Sequence, residues 1–267
     1  HPRFDPWSPS QRLNMANNLI AIPEVKKIYE LLNPKPDLTR FVGGCVRDII
    51  LNDKIGDIDL ATILNPEEVI INLQSNKIEF KKDAINFGVV TAIINNISFE
   101  ITTLRQDLFP DGRYAKIVFT KDWKIDAQRR DFTINAIYCG WTDIDENTIN
   151  FWDPYNGKKD LIEGKIKFIS DPEISLQEDY VRALRYFRFF YKYSRFPHDC
   201  NILDKIFKYK KNIKNISNKR LEKKIKKILL LKNSRDILQD KNVLDLFVYI
   251  YPGFDKVLNS SLGKMDF

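Results

Sequence analysis

A pair of glycines and one arginine give this 267-residue chain its clearest capacity for binding an anion. Gly43 and Gly44 end a short strand-like run and open a helix-like one, and Arg47 follows one turn later. Backbone N–H groups at such a junction can approach a ligand closely, and the positive end of the helix favours negative charge. We therefore predict a phosphate cradle here, although it lacks the spacing of a Walker motif.

Two aspartates follow the cradle on the next apolar run. Asp57 and Asp59 are two positions apart, so on a strand both side chains would point to one face. Adjacent carboxylates repel each other unless a cation lies between them, and Mg²⁺ suits carboxylates together with substrate phosphates. The pattern indicates a magnesium-dependent phosphoryl-transfer site. The alternative is a solvent-facing acidic pair at a strand end.

A third carboxylate lies on a later strand-like run. Glu100 stands between the apolar residues Phe99 and Ile101. An acid on a buried strand needs a metal, an arginine or water as its partner. We interpret Glu100 as a further catalytic carboxylate, and a structural ion pair with Arg105 is the alternative.

Two other segments carry hydrogen-bonding groups suited to a nucleotide. In RRDFTINAIY (129–138), Arg130, Asp131 and Asn135 could hold a phosphate and a ribose. We expect this segment to be a loop that leads into a helix, in which case Asp131 and Asn135 would serve only in capping and packing.

The second segment is a helix-like run in which Asp179 and Arg182 are three residues apart and would be neighbours on one helix. A carboxylate accepts hydrogen bonds and a guanidinium donates them, so together they match the amino group and ring nitrogen of cytosine or adenine. Uracil and guanine present the reverse pattern. The alternative is an ordinary helical salt bridge. Arg185 and Arg188 continue the same face, either as triphosphate contacts or as structural pairs.

Charge is unevenly distributed along the chain. The formal net charge is +7, yet residues 201–232 alone hold twelve Lys and Arg against two Asp and Glu. A basic block of this kind favours a phosphate-rich partner, although a solvated helix face explains it equally well. The three cysteines are widely spaced and odd in number, which indicates a reducing compartment such as the cytoplasm. We expect neither a secretory signal nor a membrane span.

The periodicity places these residues in an α+β fold. A mixed β-sheet with helices occupies residues 1–150, and from about residue 176 the chain is helix-periodic. Asn95 and Asn96 mark a hairpin turn, and Pro-Asp-Gly marks another. We expect a head at 1–150, a helical neck at 151–230 and the start of a helical body at 231–267.

The motifs GGCVRD…GDIDLAT, EITTLRQD…DGR, RRDFTINAIY and QEDYVRALRYFRF resemble, in order and spacing, those of the class II tRNA nucleotidyltransferases and bacterial poly(A) polymerases. The resemblance implies a polymerase-β-like nucleotidyltransferase head followed by a helical neck and body. It also implies a flexible loop that contains Asp111 and Arg113. The basic helices would track RNA, with Lys219, Arg220, Lys223 and Lys227 as contacts.

One departure from the family pattern concerns the helix that follows the base-reading pair Asp179 and Arg182. Members often carry Ser-x-Glu-Arg-Ile-x-x-Glu, whereas this chain has lysine at both acidic positions, Lys219 and Lys224. These replacements argue against the capping role of that motif in this chain.

Together these observations predict a magnesium-dependent enzyme that adds C and A from CTP and ATP to the tRNA 3′ end and releases pyrophosphate, with no obligate protein partner. Within the family the alternatives are partial addition (CC only or A only) and poly(A) synthesis. A non-catalytic RNA- or nucleotide-binding module with the same fold is the more distant alternative.

Overall fold

The computed structural model describes residues 19, 21–111, 114–143, 148–232, 237, 239–254, 256 and 258. The chain divides into two compact units. The first consists of His1–Asp107 and Ile117–Lys159, and the second of Leu108–Lys116 and Asp160–Phe267. No helix within the described ranges is long and apolar enough to cross a membrane.

The first unit is built on a mixed seven-stranded sheet of order β3-β4-β5-β2-β1-β8-β9. Strand β2 pairs with β5 in parallel, and the remaining pairs of this sheet are antiparallel. The strands are β1 (Thr39–Val42), β2 (Ile58–Thr62), β3 (Glu79–Lys81), β4 (Val89–Ile94), β5 (Ile97–Thr103), β8 (Tyr138–Asp143) and β9 (Thr148–Trp152). A separate hairpin joins β6 (Arg105–Asp111) to β7 (Tyr114–Phe119).

Helices accompany this sheet: α1 (Pro23–Leu32), α2 (Gly44–Leu51), α3 (Pro66–Ser75) and α4 (Trp123–Gln128). Pro66 and the acids after it predict the start of α3, and Asn65 with Glu68 forms a capping box there. On one sheet face Tyr29 of α1 stacks on Phe41 of β1 at a centroid distance of 5.2 Å. That face is therefore covered, and the opposite face carries Asp59.

The predicted hairpin at Asn95 and Asn96 is confirmed. Both residues have positive φ, 48° and 65°, and they connect β4 to β5 in direct register. The Pro-Asp-Gly turn falls partly outside the described residues. The predicted helix after the loop at 129–138 is wrong, because only a short 3₁₀ turn, Thr133–Asn135, precedes β8. Tyr138 pairs with Val42 of β1, so sheet formation draws the segment into an extended conformation.

The helical region predicted from about residue 176 is confirmed, and in the described part of the second unit it begins at Pro172. Its helices are α6 (Pro172–Glu178), α7 (Val181–Tyr193), α8 (Cys200–Lys208), α9 (Lys210–Lys214), α10 (Asn218–Leu229) and α11 (Lys241–Ile250). A further helix, α5 (Gly157–Glu163), contains the division between the units. The core of the second unit buries Phe187, Leu221, Ile225 and Phe247. Ser217, the N-cap of α10, makes no side-chain capping bond within the described chain, as its departure from the family pattern predicted.

Gly157 provides a test of packing in the first unit. A Cβ atom there would lie 2.0 Å from the Thr133 carbonyl oxygen, which belongs to the backbone and cannot move aside. We expect Gly157→Ala to lower the free energy of unfolding by about 1–3 kcal/mol, the usual range for overpacking. Chemical denaturation measures this change. Gly56→Ala is the matched control, since its nearest contact would be an ordinary 3.7 Å; equal losses in both variants would contradict the packing argument.

Candidate nucleotidyl-transfer site

The glycine junction lies against a carboxylate of the neighbouring strand. Gly43 has a φ of 74°, a backbone conformation that glycine adopts without strain. A Cβ atom at Gly43 would lie 3.5 Å from Oδ2 of Asp59, and one at Gly44 would lie 3.9 Å from Nη2 of Arg47. Because glycine has no side chain, the backbone is open here between the buried guanidinium of Arg47 and the carboxylate of Asp59. The structure brings these predicted residues together.

Asp59 and Glu100 are direct partners in the parallel ladder of β2 and β5, so both side chains leave the same face of the sheet. Burial raises the pKa of Asp59 to about 6, and repulsion from Glu100 and Asp57 adds to the shift. Arg130 and Arg47 act in the opposite direction. The cluster thus holds more negative charge than its neighbours neutralise.

Asp57 is exposed and immediately precedes β2, one position short of the strand that the sequence suggested. Within the described residues, no three His, Cys, Asp or Glu side chains converge closely enough to enclose a metal ion. The electrostatics still fit a divalent cation, since burial and the neighbouring carboxylates both disfavour the ionised form of Asp59, and a cation beside these oxygen donors would offset that cost. Substrate phosphates would complete such a ligand set.

The alternative role for Glu100 is not observed. Arg105 pairs with Asp107 at 3.2 Å and donates to the Phe87 carbonyl. Glu100 itself is exposed and makes no ion pair in the described ranges. It therefore remains available to a ligand on the face that carries Asp59.

A chain of hydrogen bonds holds Arg47 in place. Its guanidinium donates to Oδ1 of Asn135, and Nδ2 of Asn135 donates to Oδ1 of Asp131 at 2.7 Å. All three side chains are buried. Asp131 also accepts from the Phe132 backbone N–H at 3.0 Å, so this acid is itself held in place while it orients the amide.

Arg130 belongs to a second network, which the sequence reasoning missed. Its Nη2 donates to Asp126 at 3.0 Å and its Nε to the Tyr138 hydroxyl at 2.8 Å. Arg129 binds the other oxygen of Asp126 at 2.6 Å. Burial alone would raise the pKa of Asp126, but the two arginines and Tyr138 hold it well below its usual range. The spacing of Asp126 from Arg129 and Arg130, three and four residues on a helix, was the available signal.

Asp179 and Arg182, the residues predicted to select the base, lie in the second unit. Their geometry differs from the expected pair of neighbours on one helix. They do not share a helix, because α6 ends at Glu178 and α7 begins at Val181. Asp179 caps the start of α7 by accepting from the Val181 N–H at 3.0 Å, and it lies 3.7 Å from Arg220. Arg182 is buried and donates to Glu178 at 2.6 Å. Asp179 and Tyr180 separate the two helices, so Asp179 lies at the helix junction and Arg182 in the first turn of α7.

Arg185 and Arg188 lie on α7, which packs against α10. Lys224 of α10 is half-buried, and burial lowers its pKa to about 8, with further lowering by Arg185 and other surrounding cations. Further basic side chains of α10 are Lys219, Arg220, Lys223 and Lys227. This concentration of positive charge is suited to phosphate groups. The predicted loop residues cannot be placed, because Arg113 and the side chain of Asp111 lie outside the described part of the chain.

Comparisons with known proteins agree with this geometry. Residues 39–167 match the family model described as the Poly A polymerase head domain. The chain is 36% identical over 245 residues to human mitochondrial CCA tRNA nucleotidyltransferase 1, covering 91% of this chain and 54% of that protein. It is 30% identical over 229 residues to the CCA-adding enzyme of Staphylococcus epidermidis, covering 85% and 54%.

Among solved structures, the Bacillus stearothermophilus CCA-adding enzyme in complex with CTP superposes with a TM-score of 0.68 at 25% identity. The match covers 83% of this chain and 52% of that one. The chain thus spans about half the length of the relatives that it matches.

The mixed sheet, the glycine junction and the adjacent carboxylates define a polymerase-β-like nucleotidyltransferase head. Within that class, the chain belongs to the poly(A) polymerase head-domain family that includes the class II CCA-adding enzymes.

The raised pKa of Asp59 predicts a pH-dependent stability cost. Because its pKa is higher in the folded protein than in the unfolded chain, stability decreases as pH rises from about 4 to about 6. We expect Asp59→Asn to stabilise the metal-free protein by about 1–3 kcal/mol at pH 7.5 and to have little effect at pH 4. Thermal melts at the two pH values measure this, with exposed Asp53→Asn as the control. A gain of equal size at both pH values would contradict the assignment.

The Asp126 network predicts a larger effect of the opposite sign. Asp126→Asn leaves the largely buried Arg130 without its carboxylate partner, and breaking a buried pair destabilises proteins by about 3–5 kcal/mol. Urea denaturation at pH 7.5 measures the loss. Asp122→Asn, at the exposed N-cap of the same helix, should cost no more than about 1 kcal/mol. Similar losses in the two variants would show that Asp126 acts only locally.

Proposed function

We propose that this chain is the catalytic part of a template-independent tRNA nucleotidyltransferase that completes the 3′ CCA end from CTP and ATP. The observation that carries the proposal is the in-register pairing of Asp59 with Glu100, opposite the open backbone of Gly43 and Gly44. Similarity to the human and bacterial enzymes over most of this chain supports the same activity.

In this reaction the RNA 3′-hydroxyl forms a bond to the α-phosphorus of the nucleotide, and the bond to the β-phosphate oxygen breaks, which releases pyrophosphate. Gly43, Gly44 and Arg47 bind the triphosphate through backbone N–H groups and a guanidinium. Asp57, Asp59 and Glu100 would hold Mg²⁺. When bound, the ion supplies a lowered pKa for the attacking hydroxyl and neutralises charge on the leaving group.

The two buried networks would keep these groups in position. Asn135 orients Arg47, and Asp131 with Asn135 presents oxygen and amide groups suited to a ribose. Arg130 is engaged by Asp126 and Tyr138, so we assign it to positioning and to the positive field near Asp59.

Base selection would fall to Asp179 and Arg182, whose acceptor and donor groups match cytosine and adenine. Arg185 and Arg188 would add positive charge for phosphates, and the basic face of α10 would contact RNA. We retain the division into a head at 1–150, a neck at 151–230 and a body that begins at 231. The free cysteines favour a reducing compartment, and the human relative is mitochondrial. We therefore propose that the protein works in the cytoplasm or in an organelle.

The proposal predicts three-nucleotide addition. Labelled CTP and ATP, separately and together, are offered with Mg²⁺ to tRNA that lacks its 3′ CCA. We expect addition to stop at CCA, and Asp59→Asn to lower the rate by more than about 10²-fold, since even outer-shell partners of a metal are worth 10–100-fold. Asp53→Asn, an exposed acid of the preceding loop, should retain the rate of the unaltered protein.

Other outcomes would redirect the assignment. Incorporation of C alone or A alone would indicate a partial adder, and long A tails would indicate a poly(A) polymerase. If no nucleotide is incorporated, equilibrium titration of the same sample decides: binding of CTP and ATP in preference to UTP and GTP keeps the proposal, and absence of binding overturns it.

A further inference from the structure

An open surface depression of about 430 Å³ lies in the first unit, and the proposed reaction does not use it. We call it the tryptophan pocket. It is lined by Arg40, Lys121, Asp122, Trp123, Lys124 and Trp152. These residues come from β1, from β9 and from the start of α4, so the rigid sheet holds one wall and a short helix holds the other.

The wall of the tryptophan pocket is a preassembled stack of flat groups. The Arg40 guanidinium lies 4.3 Å from the centroid of the Trp123 ring and 5.4 Å from that of Trp152. Tyr138 contacts both indoles, with centroid distances of 5.6 and 5.2 Å. Aromatic and guanidinium planes are the surfaces on which unpaired bases of RNA stack.

The rim of the pocket is positively charged. Lys121 and Lys124 are exposed, and neither forms an ion pair in the part of the chain that the structure describes. The nearby acids have local partners: Asp37 accepts from Arg40 at 3.2 Å, and Asp122 accepts from the Lys124 backbone N–H at 2.8 Å. With Arg40 paired to Asp37, the two lysines outnumber the single carboxylate of Asp122, and the net positive charge on the rim is suited to phosphates of a nucleic-acid backbone.

The pocket shares a sheet face with the catalytic carboxylates. Arg40 is the register partner of Ala61, and Asp59 lies two positions from Ala61 on the same strand. Side chains two positions apart point the same way, and the separation along the strand is about 7 Å. A nucleotide or two of extended RNA can span that distance, so a strand with its 3′ end beside Asp59 would pass the tryptophan pocket.

We propose that the tryptophan pocket binds an unpaired nucleotide of the RNA strand whose 3′ end is extended, with its base on the indole surfaces and its phosphate at Lys121 and Lys124. This inference rests on the proposed function. A free nucleoside triphosphate is the weaker fit, because the pocket offers neither a glycine backbone nor a carboxylate cluster like that around Asp59.

The test compares two double variants of surface lysines. Lys121→Ala/Lys124→Ala removes the rim charge, and Lys81→Ala/Lys82→Ala removes two exposed lysines at the end of edge strand β3. Binding of oligocytidylate and of tRNA lacking its 3′ CCA is measured at several salt concentrations, with the KM for CTP beside it. We expect the rim variant alone to weaken oligocytidylate binding about tenfold and to reduce the salt slope by about 1.4, at roughly 0.7 per phosphate contact. The KM for CTP should not change.

Tryptophan emission gives an independent readout. Oligocytidylate should quench the emission of the unaltered protein, and Trp152→Phe, which keeps an aromatic ring, should lose much of that quenching. The buried Trp141 supplies a background that RNA does not reach. Quenching of Trp152 by CTP alone to the same extent would overturn the inference in favour of a free-nucleotide site.

The outcomes separate the two proposals. If the unaltered protein extends tRNA but the rim variant binds RNA as well as the unaltered protein, the pocket inference is wrong and the proposed function stands. Equal weakening in the rim and control variants would reduce the effect to net charge and would also overturn the inference. If the unaltered protein neither extends nor binds RNA, the pocket inference fails, and the titration with CTP, ATP, UTP and GTP described above decides the proposed function.

Discussion

Two like-charged carboxylates, Asp59 and Glu100, are held side by side by the backbone pairing of β2 with β5. The parallel ladder fixes the backbone positions of both residues, and burial of Asp59 weakens the screening that water would provide. Groups around the site partly offset the repulsion between the two carboxylates. A glycine junction offers backbone N–H groups on one side, and the positive charges of Arg47 and Arg130 act on Asp59 from their own networks.

Rigidity around the carboxylates comes from buried polar groups as well as from apolar packing. Asp126 is fully buried yet remains ionised because two arginines and a tyrosine hydroxyl surround it. A network satisfied in this way fixes side-chain directions more narrowly than apolar contacts do. It therefore positions Tyr138, whose ring also contacts both indoles of the tryptophan pocket.

Much of this arrangement could be predicted from the sequence, since local signals specify local structure. The glycines after an apolar run, the Pro-Glu-Glu start of α3 and the Asn-Asn turn each have one favoured backbone solution. The pairing of strands that are far apart in the sequence is harder to predict. Nothing in the segment 129–138 itself reveals that Tyr138 joins β1, so the expected helix was replaced by a strand. The break at residues 179–180 is not visible in the sequence, because residues 177–189 read as one continuous helical run.

The order of strands has a consequence for the chain during its synthesis. Strand β1 lies inside the finished sheet, yet its outer neighbour β8 is translated long after it, beyond the β6–β7 hairpin and α4. At elongation rates of about 5–20 residues per second, the edge of β1 waits on the order of 5–20 s for its partner. An unpaired apolar strand edge is a template for pairing with other chains. The nascent protein therefore has a defined interval of aggregation risk, during which a ribosome-associated chaperone would have most to protect.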